Sequence, residues 1–209
     1  MTEQRNLRHS SSRARYLAIR DCNTTGLTGP ISYRDPRVAS SNHGNYLNLV
    51  YEINREQQKE GSGGSWGLGK TVYFRIGDGL VLYYSRIRED GIFQSRLAAC
   101  MVEDEQQSGC VIPRANDWSG PSGIAWWGEQ NQNFPEEILP LTGESDIREI
   151  LDLFGIPPFE GEETGTVIII PYINEEKLLE HNRQSYHEED APLPYWYRNI
   201  ETYLEIALQ

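Results

Sequence analysis

Apolar positions along this chain fall in short runs, and the spacing within each run separates strands from helices. Tyr16-Leu-Ala-Ile-Arg20 is a short apolar run that predicts a buried strand, broken by the turn-rich Asp21-Cys-Asn-Thr-Thr-Gly26. Gly79 to Arg88 predicts a second strand, and Ile92 to Val102 a third, with Asp90-Gly91 between them as a hairpin turn. Gly165-Thr-Val-Ile-Ile-Ile-Pro171 is apolar almost throughout, the pattern of a central strand. Helical spacing appears in Asn45–Glu56, through Leu47, Val50 and Tyr51, and again in Ser145–Phe154. In the latter, Ser145 is an N-cap candidate, Ile147, Ile150, Leu151 and Phe154 share a face, and Gly155 marks the stop. Lys70–Ile76, Glu175–Arg183 and Pro194–Leu208 are further helix candidates, the last with Trp196, Ile200, Tyr203, Leu204 and Ala207 facing a core. Strands that meet in hairpins rather than βαβ units give an α+β class. No internal repeat is visible.

Between these elements lie polar stretches. Residues 28–44 read as an irregular loop, 57–65 as a glycine-rich mobile segment, and 103–135 as a Trp-bearing insertion. At 209 residues, with 38% hydrophobic and 11% aromatic residues, the chain suits a folded domain rather than a disordered one. Residues 1–20 hold five Arg and one Glu, hence +4; with the whole chain at −12, the remainder carries −16. Such a body repels nucleic acid, so nucleic acid is expected only through partners or the basic N-terminus (residues 1–15), which also reads as a solvated, flexible start. Cys22, Cys100 and Cys110 have no metal spacing, and a sparse, odd count fits a reducing compartment. No apolar run approaches the roughly 20 residues of a membrane span. With no signal-peptide pattern either, the expectation is a cytoplasmic protein without membrane contact.

Candidate chemistry concentrates in Gly61-Ser-Gly-Gly-Ser-Trp-Gly-Leu-Gly-Lys-Thr71, five glycines in nine residues followed by a lysine and a hydroxyl. Glycines let consecutive backbone N–H groups converge on one point, and a lysine adds full charge, which together suit phosphate. Taken literally, Gly64-x-x-x-x-Gly69-Lys70-Thr71 is a Walker A loop. That loop needs a buried strand directly before it, and Asn54-Arg-Glu-Gln-Gln-Lys-Glu60 is too polar to be one. The apolar strands also lack a terminal Asp to hold Mg²⁺.

The order of three motifs — Leu17-Ala-Ile-Arg-Asp21-Cys-Asn-Thr-Thr-Gly26-Leu27, Gly64-Ser-Trp-Gly67-Leu-Gly69-Lys70, and Gly165-Thr166-Val-Ile-Ile-Ile — resembles the GHKL (Bergerat-fold) ATPases. That superfamily includes DNA gyrase, heat-shock chaperones, sensor histidine kinases, MutL and, as relatives, MORC proteins. The nearest likeness is to bacterial GHKL-type ATPases of anti-phage and restriction-linked operons, which share a Thr-Thr-Gly-Leu turn and a Gly-Gly-Ser-aromatic-Gly-x-Gly-Lys loop. The resemblance covers residues 16–173, and each motif alone is weak.

The resemblance implies a two-layer sandwich, with a mostly antiparallel sheet and helices on one face. Residues 16–209 would form one ATP-binding domain, with an ATP lid over about 28–66 and the insertion over about 103–135. It implies that Asp21, as a buried carboxylate, receives the adenine amino group, with Thr166 backing it and Asn23, Thr25 and Gly26 forming the turn beside the base. Gly64, Ser65, Trp66, Gly67, Leu68 and Gly69 would wrap the phosphates at a helix N-terminus. Lys70 has two readings, a phosphate ligand or a solvated helix residue, and Thr71 reads as a structural hydroxyl. The implied cofactors are ATP and Mg²⁺, the implied activity ATP hydrolysis, and the implied partners other proteins or a second copy. The lengthened turn Asp21-Cys-Asn-Thr-Thr-Gly26 departs from the family's Asp-x-Gly-x-Gly.

The family's first motif, a helix bearing a catalytic Glu and an Mg²⁺-binding Asn, lies upstream of the adenine strand. Here Glu3 and Asn6 are present without helical apolar spacing, so no catalytic or metal-binding residue is assigned. Three explanations stand: a fragment, a helix supplied by a second subunit, or a module that binds without turnover. The four histidines, His9, His43, His181 and His187, are scattered. Trp118, Trp126 and Trp127 read as core or interface packing, since Asp117 and Glu129 beside them disfavour nucleic acid.

Overall fold

The structure, a computed structural model, describes residues 15–40, 44–52, 68–103, 112, 123–173, 175, 179, 194–195 and 199–207. Strand β1 (Tyr16–Cys22) is followed by a 3-10 turn (Pro36–Ser40), helix α1 (Gly44–Val50) and helix α2 (Leu68–Ile76). Next come β2 (Leu80–Glu89), β3 (Ile92–Val102), β4 (Ile124–Trp127), β5 (Glu129–Gln130), β6 (Ile138–Leu139) and α3 (Glu144–Leu153). Strand β7 (Gly165–Pro171) and helix α4 (Ile200–Ala207) complete the described elements. One sheet runs β1-β7-β2-β3-β4, with every neighbouring pair antiparallel, and β5 pairs β6 separately. The α+β class and the antiparallel sheet are therefore as the hairpin pattern predicts.

The β2–β3 hairpin has its tip at Asp90 and Gly91, both at positive φ (51° and 79°), the tight turn whose twist matches antiparallel strands. Its register runs from Glu89 opposite Ile92 to Leu80 opposite Met101. Strand β7 inserts between β1 and β2, and all seven of its residues are buried. Alternation along the strands then divides the core in two. Ile168 and Ile170, with Val81, Tyr83, Ala98 and Cys100, pack against Tyr46, Leu47 and Val50 of α1 and Phe74 of α2. Val167 and Ile169, with Leu82, Tyr84, Leu97 and Ala99, pack against Ile147 and Leu151 of α3 and against Ile156 and Phe159. Each fully buried Val, Leu, Ile or Phe among these contributes about 1.5–3 kcal/mol.

The structure departs from the sequence reading at several points. Helices cover both faces rather than one, because a strand as apolar as β7 needs cover on both sides; α3 supplies the second. Strand β1 is a mostly exposed edge, not a buried strand, since only β7 pairs with it among the described residues. The insertion contributes β4, the fifth strand of the sheet. Part of the expected lid is built into the core: Tyr46, Leu47 and Val50 are buried in one cluster. Helix α1 stops at Val50, where Tyr51 and Glu52 both donate their N–H to Leu47 O.

Helix α3 has Gly143, not Ser145, as its N-cap, and no side chain caps it. The helix expected from Pro194 starts at Ile200, because the Asn199 side chain accepts the Thr202 N–H (2.8 Å) and fixes the start there. Glu175 and Leu179 are helical, and the rest of the Glu175–Arg183 candidate lies outside the described residues. Among the described residues no helix is long and apolar enough to cross a membrane.

Candidate functional site

The antiparallel registers align four polar residues in one row across the sheet. Asp21 on β1 faces Thr166 on β7, Thr166 faces Ser85 on β2, and Ser85 faces Arg96 on β3. Direct cross-strand partners project from the same face. That face is the one covered by α1 and α2. Exposure falls along the row: Asp21 is exposed, whereas Thr166, Ser85 and Arg96 are buried. The carboxylate predicted as buried is thus reachable from solvent, because it stands on the open edge strand.

After Asp21 the chain turns back over the row. Asn23 sits at φ 59° and Gly26 at φ 67°, the left-handed region that Asn tolerates and Gly occupies freely. A Cβ on Gly26 would stand 2.6 Å from Ser85 Oγ and 2.9 Å from Gly165 O, so only glycine lets the turn lie against the sheet. Thr164 Oγ1 donates to Thr24 O (2.6 Å), and Asn45 of α1 donates through Nδ2 to Gly26 O (3.0 Å). The hydroxyl of Thr24 is buried without a hydrogen-bond partner.

Turn, row and helices enclose a cavity of about 410 Å³. Asp21, Thr24, Thr25 and Thr166 supply its polar lining on the strand and turn side, Asn45 and Asn48 on the α1 side. Ile19, Ile168, Leu49 and Tyr73 form apolar walls, and burial raises the Tyr73 phenol above its ordinary pKa. An ionised carboxylate only accepts hydrogen bonds, while threonine hydroxyls both donate and accept. The arrangement suits a flat, partly apolar ring carrying an N–H group, and the volume lies within the range of small-molecule sites.

Of the predicted site residues, the cavity brings together Asp21, Thr25, Gly26 and Thr166. Asn23 shapes the turn without lining the cavity. Leu68, Gly69 and Lys70 open α2, which contributes Tyr73 to the wall. Gly64, Ser65, Trp66 and Gly67 lie outside the described residues, as do all four histidines and Trp118. Thr24, Asn45 and Asn48 are cavity residues that the motif reading passes over, and Ser85 and Arg96 support the turn from below. The last two were visible in the sequence as a serine and an arginine inside apolar strands.

A second cavity, of about 750 Å³, lies on the opposite face between the sheet and α3. Leu82, Ala99, Met101, Trp127 and Phe154 give it an apolar lining, and Arg15, its one charged side chain among the described residues, is paired with Glu201 (2.5 Å) and Glu175 (3.0 Å). It is larger but lacks converging polar groups, so the smaller cavity is the candidate site. Trp126 is committed to packing: it stacks on Tyr51 (5.4 Å between centroids) and donates its indole N–H to Val50 O (3.1 Å). Cys100 is buried, which pushes its thiol up to about 12, whereas Cys22 is exposed. Among the described residues no group of three or more His, Cys, Asp or Glu side chains is placed to hold a metal ion. No protein-family model matches this chain, and no curated protein or solved structure matches it either.

Proposed function

We propose that the chain binds ATP in the 410 Å³ cavity, with the adenine amino group on Asp21. The observation that supports this best is the register that sets Thr166 directly opposite Asp21 in the wall of that cavity. Those two residues stand far apart in sequence, and the order of the motifs pairs them independently of the register. The unpartnered Thr24 hydroxyl adds a free polar group for the same ligand. The wholly antiparallel sheet disfavours a P-loop enzyme, whose strand–loop–helix unit belongs to parallel sheets.

In this reading the glycine loop and Lys70 hold the phosphates, and nucleotide occupancy controls engagement of a protein partner or a second copy. A defence or DNA-transaction complex is the setting that the resemblance suggests. Mg²⁺ would arrive with the triphosphate. No residue is assigned to hydrolysis, and binding without turnover is the form of the proposal that the assigned residues support.

Titration calorimetry of the whole chain with ATP, adenosine and a non-hydrolysable analogue tests the reading. Saturable ATP binding is expected, together with a loss of about tenfold or more on Asp21→Asn, the scale of a charged hydrogen bond. Unchanged binding by Asp21→Asn would remove the adenine assignment. Loss of ATP binding on Lys70→Ala alone, with Asp21→Asn silent, would return the Walker A reading.

A further inference from the structure

Arg96 is 4% exposed, and its guanidinium is directed at backbone carbonyls. Nη1 donates to Leu27 O and to Gly29 O, each at 2.8 Å, and Nη2 lies 3.4 Å from Glu89 Oε2. Glu89 Oε1 in turn accepts the Gly29 N–H at 2.6 Å. Ser85 Oγ accepts the Leu27 N–H at 2.8 Å and donates to Gly165 O at 2.7 Å. Three side chains of the β2–β3 hairpin thus satisfy the N–H and C=O of both Leu27 and Gly29. Between them, Thr28 O accepts the Tyr46 N–H (3.1 Å), so the same turn holds the first turn of α1. That helix carries Asn45 and Asn48 into the cavity wall.

Neither Arg96 nor Glu89 lines the cavity, yet the chain of bonds from them ends in it. Burying a guanidinium is costly unless all its donors are engaged, and an apolar residue would fill the same space at lower cost. What an apolar residue cannot do is fix two carbonyls of a turn whose left-handed Gly26 keeps it out of the sheet ladder. The Arg96 Nη1 reaches both at once, while Nη2 of the same planar group faces Glu89.

We infer that Arg96 and Glu89 are positioning residues of the nucleotide cavity: acting from the hairpin, they clamp the Leu27–Gly29 turn and thereby set α1 and its two asparagines against the ligand. This rests on the ATP reading of the cavity. It predicts that ligand affinity depends on two residues that the ligand never touches.

The test compares Arg96→Met, Arg96→Lys and Glu89→Gln with Ile147→Ala, a core change on the opposite face, in the whole chain. ATP affinity is measured by calorimetry at a temperature where each variant is folded. Amide exchange is followed at Leu27, Gly29 and the first turn of α1. Arg96→Met should weaken ATP by about tenfold or more, the scale of a lost charged bond, and Arg96→Lys should regain part of it. Glu89→Gln should lose less, and Ile147→Ala should bind as wild type despite its lower melting temperature. Faster amide exchange should appear in the Arg96 and Glu89 variants only. If Arg96→Met fails to fold, the lysine and glutamine variants carry the same comparison. Wild-type affinity in the folded Arg96 variants, or an equal loss in Ile147→Ala, would overturn the inference. Failure of the wild type to bind ATP would instead overturn the ligand assignment. In that case faster exchange at Gly29 and α1 in the variants would uphold the clamp, and unchanged exchange would overturn it.

Discussion

Asp21 and Thr166 are direct cross-strand partners on β1 and β7, one exposed on the open edge and the other buried beside Ser85. The Thr166 hydroxyl lies 3.5 Å from Ser85 Oγ, so it is oriented from beneath while Asp21 stays accessible. Under the proposed ATP reading the two groups serve one ligand edge and are expected to be coupled. Thr166→Val should weaken ATP several-fold, and the double variant with Asp21→Asn should lose less than the product of the two single losses. Because Asp21 is exposed, Asp21→Asn should change stability by no more than about 0.5 kcal/mol. Calorimetric affinities across the four proteins, with urea unfolding of each, check both statements. Strictly independent losses would mean that the two residues do not share a ligand group.

Gly26 should tolerate no side chain. Its φ of 67° already disfavours any L-residue, and an added Cβ would meet Ser85 Oγ at 2.6 Å, Gly165 O at 2.9 Å and Arg86 O at 3.0 Å. Strain and overpacking together put Gly26→Ala at about 2–4 kcal/mol of lost stability. Gly91 has a similar positive φ but open space around it, so Gly91→Ala should cost only the backbone strain, about 1–2 kcal/mol. Chemical denaturation of the two variants separates contact from strain. Equal losses would show that the turn does not press on the sheet.

Much of the fold was legible because local chemistry decided it. Asp90-Gly91 can hardly be other than a hairpin tip, and the unbroken apolar run of β7 had to be central. The register that sets Thr166 opposite Asp21 and Gly165 opposite Cys22 joins segments far apart in the chain and was not legible from local pattern. The exposure of β1 was not legible, since an edge strand and a central one carry the same apolar residues and differ only in who pairs with them. Nor was the core role of residues 44–50: a short helix between polar segments looks like part of a lid until Tyr46, Leu47 and Val50 are seen against the sheet. The clamp from Arg96 escaped for a similar reason. It acts on carbonyls 67 and 69 residues away along the chain, and backbone acceptors leave no trace in a side-chain pattern.

The start of α3 offers a direct contrast between local pattern and geometry. Ser145 has the residue type of an N-cap, but Gly143 occupies the position: its carbonyl accepts the Ile147 N–H (3.0 Å), and no side chain caps the helix. Gly143 has φ −68° and ψ 113°, a conformation open to any residue. An added Cβ would stand 3.1 Å from Asp146 Oδ2, the end of a flexible side chain that can swing aside, so Gly143→Ser should stabilise the chain by about 0.5–1 kcal/mol, by adding a cap and reducing unfolded-chain entropy. Ser145→Ala should stay within about 0.5 kcal/mol of wild type. Urea midpoints of the two variants decide it, and a large loss in Ser145→Ala would restore the cap that the sequence suggested.

Alkaline pH should unfold the chain from the α1–α2 side of the sheet. Burial raises Cys100 to about 12 and Tyr51 to about 12, and lifts Tyr46 and Tyr83 above the tyrosine range. Tyr46, Tyr83 and Cys100 belong to one cluster, with Tyr51 packed against it. Each group keeps its proton in the folded chain at a pH where the unfolded chain has released it, so the unfolded state binds fewer protons. Stability is then complete below the unfolded values, 9.0 for the thiol and 10.0 for the phenols, and falls as pH rises beyond them. Each group contributes a slope of about 1.4 kcal/mol per pH unit once its unfolded form is ionised. Tyr83 provides the internal control, because its hydroxyl is buried with no hydrogen-bond partner. Removing an unsatisfied hydroxyl costs little at neutral pH, so Tyr83→Phe should match or exceed wild-type stability at pH 8. At pH 10.5 and above it should pull ahead of wild type, because one ionising group is gone. Urea unfolding of both proteins at pH 8, 9.5 and 10.5 measures the gap, and parallel curves would mean that the Tyr83 phenol is not held neutral by burial.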